Sequence, residues 1–332
     1  MNIVAVVTRQ VQALQNALPA AQALPDLEAL LALPRLDLVV IATPNHLHFP
    51  QALAALRAGK HVVIDKPMAL STEECDRLIE AAAARPLVLS VFHNRRWDSD
   101  FLTLRRLIER DALGALVAFE ARWDRYRPTV PDRWRERPGC GGGVLYDLGA
   151  HLIDQALCLF GLPEWIEADV FAQRAGAQAD DAFEIRMGRG PLRIRLGCSS
   201  MAADASLRYR LHGLRSSYRK CGLDVQEQQL RAGLPPSDPA FGIEPPEQWG
   251  TIIEGSAGAA AATPAPAPAA HSSSAVTPER GDWSAFYRAL QGCIATDTDH
   301  TAPPVPAGEA RAVLHIIELA RRCSAEGRRL KI

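Results

Sequence analysis

An aspartate and a histidine stand four residues apart where the apolar pattern predicts a helix over residues 148–160. At this spacing Asp147 and His151 lie on one face of the chain at the start of that helix. A neutral imidazole can take the proton of a substrate hydroxyl, because imidazole titrates close to neutral pH. Asp147 could orient the imidazole or hold a neighbouring hydroxyl. The pair therefore indicates a general base with an assisting carboxylate.

A lysine follows directly on the apolar run at 61–65, which reads as a strand ended by Pro67. Ligands of open α/β sheets bind outside the carboxyl ends of strands, and Lys66 falls there. Its ammonium could polarise the same substrate oxygen. Taken alone, each residue also has an ordinary interpretation: Asp147 as a helix N-cap, His151 as a plain helix residue, and Lys66 as a solvated charge.

The elements that must position these residues alternate over the first ninety positions. Strand–helix–strand repetition at this spacing predicts a parallel sheet with helices on its faces. The predicted strands are 2–8, 37–43, 61–65 and 87–93, and the predicted helices are 9–18, 26–33, 49–58 and one that begins at a Ser71–Glu74 capping box. The continuous apolar run at 37–43 is typical of a strand covered on both faces.

The pattern changes after about residue 95. Alternating side chains predict strands at 165–173, 182–188, 192–200 and 208–214, and these favour a mainly antiparallel sheet with one wet face. Helices are predicted at 98–110, 148–160 and 307–327. The Ala/Pro/Ser-rich stretch 256–280 is predicted to be a flexible surface loop.

Composition excludes several classes of function. The net charge of −1 over 332 residues provides no field to recruit nucleic acid or an anionic membrane, and no run of 18 apolar residues could span one. Seven cysteines without metal-ligand spacing indicate reduced thiols, and no secretory signal is recognised, so we expect a cytoplasmic protein. No metal site is expected, because His46 and His48 have no acidic or thiol partner nearby in sequence.

Three segments carry a family resemblance: IATPNHLHFPQALAALRAGKHVVIDKPMAL, SVFHNRRWDSDF and GGGVLYDLGAHLIDQALCLFGLP. In this order and at this spacing they resemble the signature of the glucose–fructose oxidoreductase/inositol dehydrogenase/MocA family. Its members carry a strand followed by E/D-K-P and a later D-x-x-x-H on a helix. The resemblance covers almost the whole chain. It implies hydride transfer between NAD(P) and a secondary alcohol of a sugar, polyol or inositol.

The resemblance also implies roles for individual residues. Lys66, Asp147 and His151 match the catalytic positions, with His151 as the base. The positions that match the cofactor loops are Thr8, Arg9, Thr43, Pro44, Asn45, His48, Asp65, Lys66, Asn94 and Arg95. Where an NAD enzyme usually has Asp or Glu, a hydroxyl and a guanidinium at Thr8 and Arg9 favour the 2′-phosphate of NADP over NAD. A helix cap followed by a surface arginine is an equally good interpretation of the same two residues.

Two domains follow from the resemblance. Residues 1–94 would form an NAD(P)-binding Rossmann-type, doubly wound parallel sheet. Residues 95–332 would form an α/β domain with an open, mostly antiparallel sheet that binds substrate and associates into a homodimer or tetramer. We expect Lys66, Asp147 and His151 to converge where the nicotinamide ring would lie.

The chain departs from the family at its start, because its first glycine is Gly59. The opening strand, G-x-G-x-x-G loop and helix of a dinucleotide fold are missing, and 2–8 corresponds to the family's second strand. Either 2–8 pairs directly with 37–43 or Met1 is not the natural start, and we prefer the second explanation. The alternative function is a catalytically impaired member that binds no cofactor and acts in ligand binding or assembly.

Two further features flank the Asp147 segment. The glycines from Gly139 to Gly143, broken only by Cys140, permit close backbone approach to a ligand, with a flexible loop as the competing view. Six arginines between Arg122 and Arg137 could meet a carboxylate or phosphate of the substrate. Surface ion pairs are the more ordinary use of such residues.

Overall fold

The computed structural model describes residues 1–204, 206–255, 272–295 and 302–332. It divides into two compact units, and each is described by itself. The first unit comprises Met1–Phe92 and Tyr287–Leu314, and the second comprises His93–Phe286 and His315–Ile332. The chain thus leaves the first unit near the predicted boundary at residue 94 and returns to it later. The assignment of functional domains to 1–94 and 95–332 stays a prediction.

The first unit contains two separate parallel sheets. Its elements in chain order are β1 (Ala5–Val7), α1 (Val11–Ala17), β2 (Gln22–Leu24), α2 (Leu27–Leu31), β3 (Leu38–Ile41), α3 (His48–Arg57), β4 (His61–Asp65), α4 (Thr72–Ala83) and β5 (Leu89–Phe92). β1 pairs with β2, while β3, β4 and β5 form a three-stranded sheet. Parallel strands joined by helices confirm the predicted Rossmann-type architecture.

One of the two alternatives for segment 2–8 and one expectation for segment 37–43 do not hold in the first unit. Segment 2–8 does not pair with 37–43, because the partner of β1 is β2, a three-residue strand that the sequence pattern did not indicate. β3 is also not covered on both faces. Val39 and Ile41 are buried, but Val40 between them is 49% exposed. One face of β3 is therefore open at Val40, and β3 is also an edge strand, with β4 as its neighbour in the sheet.

Local signals fix the ends of two helices in this unit. The Oγ atom of Ser71 accepts a hydrogen bond from the Glu74 amide at 3.2 Å, which confirms the N-cap of α4. The return bond of the capping box differs from the prediction, because the Glu74 carboxylate accepts from the Leu70 amide at 2.9 Å. α3 ends at Gly59, whose φ of +75° suits glycine, and the amide of Lys60 bonds back to the Ala55 carbonyl.

The second unit is built on a nine-stranded sheet. The remaining elements of the chain are α5 (Ser99–Glu109), β6 (Leu116–Arg122), α6 (Ala150–Phe160), β7 (Trp165–Phe171), β8 (Ala182–Arg189), β9 (Leu192–Ser199), β10 (Leu207–Gly213), β11 (Ser216–Cys221), α7 (Gln226–Arg231), β12 (Gly250–Glu254), β13 (Ser273–Val276), α8 (Ser284–Ala295), α9 (Ala307–Glu326) and β14 (Leu330–Lys331). The sheet order is β13-β12-β11-β10-β6-β9-β8-β7-β14. Among the described strand pairs of this nine-stranded sheet only β6–β9 is parallel, so the predicted mostly antiparallel sheet is confirmed.

The sheet has one buried and one exposed face. Along β8 the side chains of Phe183, Ile185 and Met187 are buried, whereas Glu184 and Arg186 between them are exposed. α6 is buried continuously from Ala150 to Ala156, as expected for a helix that belongs to the core.

The predicted surface loop at 256–280 needs correction at its end. Residues 256–271 lie outside the part of the chain that the structure describes. Ser273–Val276 forms β13, which pairs antiparallel with β12. Pairing satisfies the backbone groups of a segment whose composition alone indicates no strand.

Two expectations from composition can be compared with the described residues. None of the helices in these residues is both long and apolar enough to cross a membrane. The seven cysteines are free thiols.

Candidate active site

In the first unit, polar residues follow the carboxyl ends of two neighbouring parallel strands. Ile41 of β3 lies in register with Ile64 of β4, so the chain leaves both strands at the same edge of the sheet. The loop after β3 carries Thr43, Pro44 and Asn45, and β4 ends at Asp65 and Lys66. This edge is where open α/β sheets bind ligands.

The side chain of His48 joins these two loops. This residue is 1% exposed. Its Nδ1 lies 2.7 Å from the Pro67 carbonyl oxygen and its Nε2 lies 2.8 Å from the Thr43 carbonyl oxygen. Whichever tautomer the ring adopts, its N–H can donate a hydrogen bond to one of these two carbonyl oxygens. His48 thus holds the loop after β3 against the turn after β4, and its predicted contact with a cofactor stays a prediction.

The other predicted residues of these loops also have internal partners. The hydroxyl of Thr43 donates to the Gln51 side chain at 2.7 Å. The Asp65 carboxylate accepts from the amide of Lys66 at 3.0 Å, which orders the start of the turn.

After β1, Thr8 does not cap the following helix. The N-cap of α1 is Gln10, and the Thr8 hydroxyl accepts a hydrogen bond from the Gln10 amide at 3.0 Å. Arg9 is exposed and forms no ion pair with a residue that the structure describes. The helix-cap interpretation of Thr8 is therefore wrong, and the predicted contact of the two residues with a 2′-phosphate stays a prediction.

In the second unit, Asp147 lies inside a wide, π-helical turn at Leu145–Gly149 that leads directly into α6. The N-cap of this turn is Val144, so the N-cap interpretation of Asp147 is wrong. Its two carboxylate oxygens instead face Arg125 at 3.4 Å and Arg135 at 3.8 Å. Two guanidinium groups favour the ionised carboxylate.

His151 lies in the first turn of α6, four residues after Asp147 and 5% exposed. Two aromatic rings flank its imidazole. The ring of Trp123 is 5.6 Å away between centroids with a 30° tilt, and the ring of His93 is 6.3 Å away and edge-on at 83°. The imidazole is thus held in a largely buried aromatic environment.

Asn94 and Arg95 belong to the second unit and follow its first residue, His93. Arg95 is buried, and its guanidinium forms ion pairs with Glu227 at 2.6 Å and Asp98 at 3.6 Å. Burial acts to lower the pKa of Arg95, but the carboxylates of Asp98 and Glu227 raise it above its ordinary value. The guanidinium therefore stays charged and is held in place by these two carboxylates inside the second unit. Its predicted contact with a cofactor stays a prediction.

The glycines before Asp147 permit close packing within the protein. Gly143 has a φ of +101°, and a Cβ atom there would overlap the Asp180 carboxylate. A Cβ at Gly142 would lie 2.5 Å from the carbonyl oxygens of Arg135 and Arg137. Asp180 in turn accepts from the amide of Leu145 at 2.8 Å. Gly142 and Gly143 thus permit close approach of other parts of the same chain. The interpretation of the glycines as a ligand-binding segment did not predict this packing.

Five of the six arginines between Arg122 and Arg137 face carboxylates. The pairs are Arg122 with Asp124 and Glu184, Arg125 and Arg135 with Asp147, Arg133 with Glu136, and Arg137 with Asp132. Arg127 has no carboxylate partner among the described residues. Burial and the cations of Arg125 and Arg133 lower the pKa of Arg127. Ion pairing is therefore the main use of this cluster.

Sequence reasoning missed a residue that organises this loop. Arg174 is buried, and its guanidinium contacts Asp181 at 2.8 Å and Glu136 at 2.7 Å. It also donates to the carbonyl oxygens of Arg127 and Thr129 at 3.3 and 3.2 Å. Its partners in the loop lie 38 to 47 residues away in sequence, and no local pattern indicated these contacts.

The fold agrees with comparisons to known proteins. Residues 1–93 match the family model described as "Oxidoreductase family, NAD-binding Rossmann fold", and residues 101–219 match the "GFO/IDH/MocA C-terminal domain". The scyllo-inositol 2-dehydrogenase (NADP(+)) IolW of Bacillus subtilis is 37% identical over 98% of this chain and 87% of its own length. YdgJ of Escherichia coli, an uncharacterized oxidoreductase, is 42% identical over 86% of this chain and 78% of its own length.

Solved structures give the same result. A structure of YvaA from Bacillus subtilis has a TM-score of 0.91 and 36% identity, with 100% of this chain and 91% of that chain covered. A structure of YPO2259 from Yersinia pestis has a TM-score of 0.90 and 37% identity, with 100% and 89% covered.

A Rossmann-type parallel sheet followed by an open antiparallel sheet, with a D-x-x-x-H segment on a buried helix, defines a two-part nicotinamide-dependent oxidoreductase. The chain belongs to the Gfo/Idh/MocA family of oxidoreductases.

The polar groups after β3 and β4 fit part of a nicotinamide dinucleotide. A hydroxyl, an amide, a carboxylate and an ammonium, on Thr43, Asn45, Asp65 and Lys66, suit the hydroxyl-rich ribose and the carboxamide of the cofactor. No glycine occurs before Gly59, so residues 1–58 offer no glycine-rich turn for the pyrophosphate.

Proposed function

We propose that the protein catalyses reversible hydride transfer between NAD(P) and a secondary alcohol of a sugar, polyol or inositol. The observation that supports this most is the geometry of α6. His151 is buried in its first turn, and Asp147 lies four residues earlier between two arginines. This combination supplies an imidazole for proton transfer and an ionised carboxylate beside it.

In the oxidation direction His151, Asp147 and Lys66 have different roles. Bound NAD(P)⁺ supplies the hydride acceptor. His151 takes the proton of the hydroxyl while the C–H bond of the same carbon breaks, so that the alcohol becomes a ketone. Asp147 holds a neighbouring hydroxyl or orients His151, and Lys66 polarises the reacting oxygen. The convergence of Lys66, which belongs to the first unit, with Asp147 and His151 of the second is part of this proposal.

The names of relatives support the class of substrate. Besides IolW, a levoglucosan dehydrogenase is 34% identical over 48% of this chain, and a 1,5-anhydro-D-fructose reductase is 37% identical over 38%. All three printed names refer to a cyclic polyol or an anhydro sugar. No contact among the residues that the structure describes favours the catalytically impaired alternative.

We further propose that NADP is preferred over NAD, with Thr8 and Arg9 as the residues that meet the 2′-phosphate. The exposed guanidinium of Arg9, without an ion pair to a described residue, supports this preference. Arg9→Glu should weaken NADPH binding more than NADH binding when both are titrated by nicotinamide fluorescence. Equal effects on the two cofactors would remove Arg9 from the cofactor site.

A polyol panel that includes scyllo-inositol, assayed with both oxidised cofactors by nicotinamide absorbance, tests the activity. His151→Asn should lower kcat/KM by roughly 10²–10⁴-fold, the usual contribution of a general base. His212→Asn is the matched control, since His212 is exposed on β10 and bonds to Ser217. Binding of NADPH without turnover of any alcohol would contradict the proposed reaction. Failure to bind either cofactor would instead favour the catalytically impaired alternative.

A further inference from the structure

We infer that Trp123 is a positioning residue that fixes the imidazole plane of His151 for proton transfer. The catalytic part of this inference rests on the proposed role of His151 as the base, and the geometric part does not. Trp123 directly follows β6 and is 6% exposed, and its amide donates to the Gly197 carbonyl at 3.0 Å. Its backbone therefore extends the pairing of β6 with β9 and is firmly held.

The indole ring is in close contact with the imidazole. The two centroids are 5.6 Å apart, and the planes are within 30° of each other. The arrangement is tilted, and the centroid separation lies inside the range of about 4.5–7 Å that aromatic pairs prefer. The torsion that sets an imidazole plane is broad and roughly two-fold by itself, so packing against a neighbouring ring narrows its range.

Arg208, on strand β10 of the sheet, packs its guanidinium against the indole ring of Trp123. Its guanidinium carbon lies 4.9 Å from the Trp123 ring, within the range of a cation–π contact. Arg208 itself is 1% exposed and is held by the Asp100 carboxylate at 3.3 Å and by the Gln155 side chain at 2.9 Å. Gln155 lies one turn after His151 on α6. Arg208 and Gln155 thus connect the indole ring to α6, the helix that carries His151.

Arg95, which precedes α5, packs its guanidinium against the same indole ring. Its guanidinium carbon also lies 4.9 Å from the Trp123 ring, and it contacts the Trp283 ring at the same distance. The indole N–H of Trp283 donates to the Asp98 carboxylate at 2.7 Å, and Asp98 also pairs with Arg95. Because two buried guanidinium groups contact the Trp123 ring, this ring has little freedom to move. The His151 ring that packs against it is restricted in turn.

The consequence for catalysis follows from how proton transfer depends on geometry. A general base must lie within about 2.6–3.2 Å of the proton donor, and a misplacement of about 1 Å can cost roughly 10²-fold in rate. Trp123→Leu should therefore lower kcat by about 10–100-fold, while KM for the alcohol changes by less than about three-fold. Trp123→Phe keeps an aromatic face and should recover most of the lost kcat.

A matched control separates positioning from the loss of a large side chain. Trp165 also lies on a strand of the same sheet and is contacted by two guanidinium groups, from Arg329 at 3.8 Å and Arg193 at 5.8 Å. Trp165→Leu should leave kcat unchanged. Thermal unfolding of all three variants shows which of them are folded under assay conditions.

Nuclear magnetic resonance with histidine labelled at Cε1 tests the geometry without any substrate. The nine histidines give separate signals, and His151→Asn identifies the one of interest. The ring current of the indole should displace this signal, Trp123→Leu should abolish the displacement, and Trp123→Phe should reduce it. If Trp123→Leu does not fold, the comparison of Trp123→Phe with the parent chain carries the test.

Negative results of the two measurements contradict different parts of the proposal. An unchanged His151 signal in the Trp123 variants overturns the positioning inference, whatever the activity. An unchanged kcat in a folded Trp123→Leu protein overturns it as well. If the signal moves as expected but His151→Asn remains fully active, the stacking is real and the proposed role of His151 is the part that fails.

Discussion

The Nδ1 atom of His48 lies 2.7 Å from the carbonyl oxygen of Pro67, nineteen residues further along the chain. Through this contact α3 holds the loop after β3 against the turn that carries Lys66. The contact is buried, and the second ring nitrogen is occupied by the Thr43 carbonyl. The relative position of the two loops at this edge of the sheet therefore depends on one imidazole.

Replacement of His48 by leucine should destabilise the first unit and weaken cofactor binding. The change removes the ring that contacts both carbonyl oxygens, and a buried group left without its hydrogen bond costs about 1–3 kcal/mol. Urea unfolding and NADPH titration measure the two effects. The control is His46→Leu, because His46 is exposed in the same loop. Equal stability of both variants would contradict a structural role for His48.

Removal of Arg174 should unfold the arginine-rich loop that faces Asp147. Its buried pair with Asp181 loses one partner in Arg174→Met, and a broken buried pair costs about 3–5 kcal/mol. The double change Arg174→Met with Asp181→Leu removes the uncompensated carboxylate as well and should recover part of the stability. Chemical denaturation of the two variants and the parent chain tests this order. A single variant as stable as the parent chain would contradict it.

Stability of the second unit should fall as the pH rises from about 4 to about 7. Burial, with the nearby Asp100, raises the pKa of Asp224 to about 6, and burial raises that of Glu244 to about 7. The folded state then binds more protons than the unfolded state within this window, so a rise in pH favours unfolding.

Asp224→Asn should flatten the pH dependence between pH 4 and 6, because the amide does not ionise. Urea unfolding at several pH values measures the slope, and Asp132→Asn serves as the control because that side chain is 87% exposed. A slope that is the same in Asp224→Asn and in the parent chain would mean that Asp224 is ionised without penalty in the fold.

We expect the exposed face of the nine-stranded sheet to bind a second copy of the chain, as a homodimer or tetramer. Arginines stand directly opposite each other across neighbouring strands, Arg186 with Arg195 and Arg210 with Arg219. Directly opposed like charges destabilise a sheet. Among the described residues Arg195 and Arg219 have no carboxylate partner, so acidic groups of another copy could stabilise them.

Charge reversal tests this association. The double variant Arg195→Glu with Arg219→Glu should dissociate the oligomer in light scattering coupled to gel filtration, and high salt should weaken the parent oligomer through screening. Arg105→Glu on α5 is the control, because Arg105 is exposed and paired with Glu109. A parent chain that is monomeric at all concentrations would contradict the expectation.

Long periodic segments made the main elements predictable. β4 at 61–65 and α6 are buried apolar segments, and the structure places both within a residue or two of their predicted bounds. Six strands were missed. β2, β13 and β14 have two to four residues each, and β6, β11 and β12 have five to seven, so all of them owe much of their conformation to the strand beside them. Propensity is too weak over such lengths to compete with pairing.

The sequence indicated the candidate residues and their spacing, but it did not indicate how they are arranged. The four-residue spacing placed Asp147 and His151 together in sequence, but the wide turn at 145–149 could not be seen from it. The contacts of Arg174 and Trp123 are long-range and depend on how strands and loops meet. The Thr43 loop was recognised by its pattern, whereas the contact of His48 with Pro67 needed coordinates.

The free edge of β3 has a practical consequence for work with this protein. β3 is the last strand of its sheet, and its Val40 side chain is 49% exposed. Backbone groups along such an edge exchange their amide hydrogens quickly and offer a template to any extended peptide nearby. Concentrated samples should consequently gain fibrillar or amorphous precipitate that begins at this strand. A charged residue in place of Val40 should keep the protein in solution longer, as a gatekeeper does in other edge strands.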